Sequence, residues 1–392
     1  MKRYISIMIS MALILLSFVQ VYSADESREE MKDIKPFDVE AESAVLMEAK
    51  TGRVLYAKSA GKALPPASVT KVMTLLLVME EIDSGKMKLS DMISVSEYAA
   101  SMGGSQVFLE AGEEMSLEDM LKSVVISSAN DAAVALAEAV AGSEEAFVAK
   151  MNEKAAELSM KSTHFENVTG LDDDTKDHKM SAYDIAVASR ELICSHPLVL
   201  KYSSIWMDTI RGGEFGLSNT NRLIRFYKGA TGLKTGSTSK AGFCISATAE
   251  RDGMHLIAVI MGSETRDTRN EAAKKLLDHG FANYCIYEKA EGSGEGVRVI
   301  KGDKKNVKTK IDGVSLLIDK KSVESIEIKT EYMEKINAPV KKGDVVGTVE
   351  YILDGKVVGE GSVRAAEDVG ILGFGDILIR LINSMLLCPK TK

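Results

Sequence analysis

Apolar residues crowd most densely along Val69–Met79, where only Thr70, Lys71 and Thr74 interrupt the run. Pro65 and Pro66 stand just before it. Proline cannot sit in a helix interior, so the pattern predicts a turn, then a buried helix from about Ala67 or Ser68 to Ile82, stopped at Asp83-Ser-Gly85. Ser68 and Lys71 fall one turn apart and share a face of that helix. Upstream, Val45–Tyr56 reads as two strands around a Lys50-Thr-Gly52 turn.

From Ser116 to Ser159 the apolar spacing is helical almost throughout. Ser116-Leu-Glu-Asp119 looks like a cap, and Ala132–Ala141 has high helix propensity. Ser181–Leu192 repeats the helical pattern. Strands return at Thr231–Gly236, Gly242–Ala249 and His255–Met261, and Asn270–Tyr284 reads as a closing helix. Strands at both ends with helices between predict an α+β (α/β) domain over residues 36–286: one antiparallel sheet flanked by helices, with a helical insertion.

Glu291-Gly-Ser-Gly-Glu-Gly296 reads as a linker, placed at 287–296. Residues 297–369, short-stranded and rich in Lys, Gly and Val, form a predicted small all-β domain. The tail, 371–388, is apolar around most of its circumference, with Asp376, Arg380, Asn383 and Ser384 in a narrow polar stripe. An amphipathic helix lying on a membrane surface fits this better than a spanning one, which would bear Asp and Arg at a cost. A helix docked on the β domain is the alternative. At the other end, Lys2 and Arg3 precede an apolar run from Ile5 to Val21, and Val21-Tyr22-Ser23 resembles a signal-peptidase site. Residues 1–23 are therefore expected to be a cleaved signal peptide, and the protein exported.

Composition narrows the field. The 392 residues are 27% charged and 45% hydrophobic, as in an ordinary globular protein. A net charge of −8, with no stretch uniting basic and aromatic residues, argues against a nucleic-acid partner. Cys194, Cys244, Cys285 and Cys388 match no metal spacing and are expected as free, mostly buried thiols, with a single disulfide of unspecified pairing outside the cell as the alternative. The five histidines stand far apart, and neither Gly-x-Ser-x-Gly nor His-Glu-x-x-His occurs. Asp172-Asp-Asp174 with Asp177 and His178 lacks calcium-loop spacing. No metal and no cofactor is expected.

Three short motifs carry the chemistry. Ser-x-x-Lys occurs at Ser59, Ser68 and Ser237, but only Ser68 opens a long buried helix able to hold the pair rigidly. A serine at a helix mouth beside a partly buried lysine is a nucleophile next to a base. Ser128-Ala-Asn130 joins two helical stretches and would place polar groups toward a cleft. Lys234-Thr-Gly236 ends a strand. Its edge offers backbone to an extended peptide, Lys234 and Thr235 offer partners to a carboxylate, and Gly236 permits close approach. The other Lys-Thr-Gly, at Lys50, reads as an exposed turn.

Together and in this order, these motifs resemble those of the penicillin-recognising serine enzymes. Pro66-Ala-Ser-Val-Thr-Lys-Val-Met73, Ser128-Ala-Asn-Asp131, Asn167-Val-Thr-Gly-Leu171 and Gly232–Cys244 are similar to the D-alanyl-D-alanine carboxypeptidases, over residues 36–286. The β domain and tail follow that family's layout with weaker motifs. The resemblance implies a β-lactamase/transpeptidase-like catalytic domain. It implies Ser68 as nucleophile, Lys71 as general base and Ser128 as proton relay to the leaving amine. Asn130 would hold the substrate amide, Lys234, Thr235 and Arg269 the terminal carboxylate, and the N–H groups of Ser68 and Ser237 an oxyanion hole. Ala129 stands where many relatives carry Gly, and Ser237 where some carry His or Tyr.

The expected substrate is a peptidoglycan stem peptide ending in D-Ala-D-Ala, with β-lactams as acylating inhibitors and the outer face of the cytoplasmic membrane as location. A DD-endopeptidase, transpeptidase or β-lactamase of the same fold, and a non-catalytic wall-binding scaffold, are the rival readings.

Overall fold

The computed structural model describes residues 33–375, 377, 378 and 382. The expected signal peptide and most of the tail helix lie outside the described residues. The chain divides into two compact units, one holding residues up to Arg251 and His255–Asp278, the other Asp252–Met254 and His279 onward.

The first unit is built on a five-stranded sheet. Its strands are β1 (Ser43–Glu48), β2 (Val54–Lys58), β3 (Ala230–Thr238), β4 (Gly242–Arg251) and β5 (Met254–Ser263), in the order β2-β1-β5-β4-β3. β1 pairs antiparallel with both β2 and β5, with Leu46 opposite Ala258, and β3 pairs antiparallel with β4, with Lys234 opposite Ser246. Strands from both ends of the segment thus meet in one sheet, with the helices between them, as the pattern predicts. All six residues of β1 are buried, as a strand covered on both faces requires.

Helix α1 (Lys71–Asp83) is buried from Lys71 to Met79 and packs against α3 (Asn130–Ala141) and α5 (Ala182–Ser195). Each apolar side chain it buries contributes about 1.5–3 kcal/mol, so α1 is a fixed post for Lys71 at its first turn. Ser68, however, precedes this α-helix. It lies in a 3₁₀ turn, Ala67–Thr70, because Ala67 enters with φ of 49° and the chain cannot join the helix until it has turned.

The helical stretch 116–159 is three helices: α2 (Leu117–Ser127), α3 and α4 (Glu144–Glu157). It breaks at Ser128 and Gly142, whose φ values of 63° and 86° no helix interior accepts. The last helix of the unit, α6 (Arg266–Asn283), starts earlier than the apolar spacing indicated, because Thr265 and Thr268 bond to each other across its first turn. A hairpin of Met207–Ile210 with Phe215–Ser218 carried no clear alternation and was not expected.

In the second unit, the glycine-rich 287–296 linker is a correction. Tyr284–Lys289 is a strand paired with Val314–Asp319, and Gly292–Ile300 is a strand paired with Asn306–Ile311. Gly294 is there for space rather than flexibility, since a Cβ on it would stand 2.4 Å from Thr309 Oγ1. The unit's six-stranded sheet buries a valine core, including Val297, Val307, Val346 and Val363. Among the described residues no helix is long and apolar enough to cross a membrane. Cys194, Cys244 and Cys285 are free thiols, but only Cys244 is fully buried. Cys388 lies outside the described residues.

Candidate active site

The nine residues singled out in the sequence converge in the first unit, around a cleft of about 620 Å³. Ser68, Ser128, Thr235, Gly236, Ser237 and Arg269 line it. Lys71, Asn130 and Lys234 stand behind them, each no more than 2% exposed.

Lys71 Nζ has three neighbours: Ser68 Oγ at 3.1 Å, Asn130 Oδ1 at 2.5 Å and the Thr169 carbonyl at 2.8 Å. The orientation of the Asn130 amide is fixed, because its NH₂ donates to the Gly103 carbonyl at 2.7 Å. Two of the three neighbours can therefore only accept. A neutral amine has two N–H donors and one lone pair. Asn130 and Thr169 take the donors, and the lone pair is left for the Ser68 hydroxyl. Burial, and after it the Lys234 cation, hold Lys71 well below the usual lysine range, against a weaker opposing pull from Asp131. Geometry and electrostatics both favour a proton-accepting Lys71.

Ser128 ends α2 in the left-handed region, and its Oγ accepts from Lys234 Nζ at 2.8 Å. Its backbone N–H caps the C-terminus of α2 by donating to the Ser123 carbonyl, which leaves the side chain for the cleft. With that acceptor site filled by Lys234, the Ser128 proton is free to be donated. Lys234 also donates to the Thr235 carbonyl at 2.9 Å, and burial, with Arg269 nearby, pushes it down to about 7. Thr235 Oγ1 bonds Thr220 Oγ1 at 2.7 Å. Arg269 is buried, donates to Asn270 Oδ1 and the Cys244 carbonyl, and has no carboxylate within ion-pair distance among the described residues. Burial brings it down to about 10.

The two close approaches that seat the nucleophile both require glycine. A Cβ on Gly236 would stand 2.7 Å from Ser68 N and 2.9 Å from Val69 N, so this glycine lets strand β3 close onto the serine turn. From sequence alone the same glycine reads as room for the substrate's approach. A Cβ on Gly170 would stand 1.9 Å from the Ala67 carbonyl oxygen.

Several supporting residues escaped the sequence reading. The Asp131 carboxylate accepts from the Val107, Leu109 and Ala132 N–H groups, tying the 103–109 loop to the start of α3. His178 Nδ1 accepts from Glu166 N–H at 3.0 Å, so its proton sits on Nε2, 2.8 Å from Thr70 Oγ1. Thr70 in turn donates to the Ala67 carbonyl at 2.8 Å. Burial pushes His178 down to about 4, so it stays neutral in this chain of bonds at ordinary pH. The only available signal was Asn167-Val-Thr-Gly-Leu171, a match without an assigned role. Its Thr169 carbonyl and Gly170 prove to be parts of the site.

The chain is similar to known proteins along almost its whole length. A family model described as D-alanyl-D-alanine carboxypeptidase matches residues 29–265, and one described as penicillin-binding protein 5, C-terminal domain, matches residues 282–370. The chain is 42% identical over 391 residues to D-alanyl-D-alanine carboxypeptidase DacF of Bacillus subtilis, covering 98% of each. Among solved structures, it is similar to penicillin binding protein 5 from Haemophilus influenzae, with a TM-score of 0.72 and 33% identity, covering 86% of this chain and 99% of that one. It is also similar to penicillin-binding protein D2 from Listeria monocytogenes in an ampicillin-bound form, with a TM-score of 0.57 and 31% identity, covering 62% and 98%.

Two outcomes are expected. Gly236→Ala, by pushing β3 off the Ser68 turn, should slow acylation by benzylpenicillin ~10²-fold or more; stopped-flow or mass-resolved kinetics on folded variant would contradict this by finding the wild-type rate. Acylation should rise as pH rises through the Lys71 pKa, because the neutral amine is the base. Removing the neighbouring cation in Lys234→Gln raises that pKa, so the acidic limb of the rate profile should move to higher pH. A limb that stays or moves down would contradict the assignment.

Proposed function

This chain belongs to the D-alanyl-D-alanine carboxypeptidase family and is a serine hydrolase of that activity; from this premise we propose that Ser68 attacks the carbonyl of the penultimate D-Ala of a peptidoglycan stem peptide. The observation that carries the assignment is the Lys71 amine, whose two donors are held by Asn130 and Thr169 while its lone pair faces Ser68. Lys71 takes the serine proton as the Oγ–C bond forms. The N–H groups of Ser68 and Ser237 stabilise the developing oxyanion. As the C–N bond breaks, Ser128 delivers a proton to the leaving D-Ala amine and is reprotonated through the lysines. Water then hydrolyses the ester, with Lys71 again accepting a proton.

Asn130 holds the substrate amide, while Thr235, Lys234 and Arg269 receive the terminal carboxylate. Arg269 suits this role because it is buried and has no carboxylate partner among the described residues. Ser237 and Gly236 give the substrate a strand edge. A β-lactam enters by the same route and leaves an acyl group on Ser68. No step asks for a metal or cofactor. A non-catalytic scaffold would need neither the Lys71 geometry nor the glycines that seat Ser68.

The protein is further proposed to be exported and to rest on the outer face of the cytoplasmic membrane through its C-terminal helix. Support comes from the N-terminal apolar run and from exposed apolar residues where the tail begins, with Ile371 63% and Phe374 83% exposed.

Incubation with benzylpenicillin should add one drug mass to the wild type at Ser68 and none to Ser68→Ala, and the wild type should release D-Ala from diacetyl-Lys-D-Ala-D-Ala. Absence of both adduct and hydrolysis on folded protein would return the scaffold reading. A chain ending at Gly370 should keep acylation and lose binding to phospholipid vesicles; retained binding would contradict the anchor.

A further inference from the structure

The cleft contains more positive charge than one carboxylate needs. Among the described residues lining it are three guanidinium groups, Arg222, Arg266 and Arg269, and no carboxylate, in a chain whose net charge is −8. Among the described residues Arg269 is bonded to the Asn270 side chain and the Cys244 carbonyl, and burial first, then the nearby Arg266 and Arg222 against Cys244 and Asp267, weaken its hold on its proton. The side chains of Arg222 and Arg266 make no hydrogen bond or ion pair with any described residue. Arg266 also opens α6, whose first-turn N–H groups add positive potential at the same end.

That end has an apolar wall. Trp206 and Phe226 meet edge to face with ring centroids 6.3 Å apart, and Arg225 covers both rings. The Trp206 indole N–H is buried without an acceptor among the described residues. Buried donors of this kind call for an explanation, and a ligand oxygen in the cleft would supply one. Like charges collected in a low-dielectric cleft focus the field on anionic ligands.

We propose that Arg222 and Arg266, backed by Trp206 and Phe226, form a second anion subsite beside the terminal-carboxylate site, suited to a leaving residue that carries a side-chain carboxylate, such as D-Asp or D-Glu in place of the terminal D-Ala. The inference rests on the carboxypeptidase reading with Arg269 at the terminal carboxylate. The bonds made and broken are the same. Only the departing amino acid differs, and its second carboxylate meets the two unpaired guanidinium groups.

The test compares kcat/KM for diacetyl-Lys-D-Ala-D-Glu and diacetyl-Lys-D-Ala-D-Asp with that for diacetyl-Lys-D-Ala-D-Ala, on the full chain and on Arg222→Gln/Arg266→Gln. Solvent-exposed guanidinium–carboxylate pairs support a preference of about five-fold for at least one acidic leaving residue, shrinking with added salt. The ratio should fall toward one in the double variant. No preference in the wild type, or one that survives the double substitution, would overturn the subsite while leaving the carboxypeptidase reading intact. Failure to hydrolyse the D-Ala-terminated peptide would overturn both.

Discussion

The Lys71 amine is the constraint on which the site depends. A lysine in water is a cation near neutral pH, and a cation cannot take a proton from serine. Here α1 carries Lys71 into full burial, which disfavours the charged form, and Lys234 adds repulsion to desolvation. What remains is to aim the lone pair. That is done by giving both N–H groups to oxygens that can only accept, one on α3 and one in the 167–171 loop. Remove either acceptor and the amine can rotate away from Ser68.

Much of the surrounding fold can be understood as holding those partners. Asn130 is fixed by the Gly103 carbonyl on its side chain and the Ser105 carbonyl on its backbone N–H, and the Asp131 carboxylate fastens the same loop. Thr169 is positioned by a turn in which the Asn167 side chain accepts from the N–H groups of Thr169 and Gly170. On the nucleophile side, the left-handed Ala67 would relax if left alone. It is held by the Thr70–His178 bonds and by the two glycines that allow backbone to lie against backbone.

The sequence made the catalytic groups legible because their spacing is local. Ser68 and Lys71 sit one turn apart, Ser128 and Asn130 flank a break, and Lys234 lies within β3. The sheet of the first unit was legible as short apolar runs bounded by turns, with most positions of β1, β3, β4 and β5 buried on both faces. What could not be read was anything fixed by contacts across the fold. The role of Gly170 depends on Ala67, 103 positions away in the chain. His178 gave no local signal because its partner is Thr70. The glycine run at Gly292–Gly296 looked like a linker, because composition records flexibility but not the Thr309 and Tyr332 side chains that need the space. The early break at Ala67 was masked by an apolar run that continues smoothly into α1.

The most direct test of this account is the charge state of Lys71 itself, followed by NMR of side-chain nitrogen-labelled lysine in the resting enzyme and assigned with Lys71→Arg. The account predicts a neutral Lys71 amine at a pH where the surface lysines are fully charged, regaining its proton only as pH falls well below their range. An ammonium signal from Lys71 that titrates with the surface lysines would contradict it, whatever the activity of the enzyme.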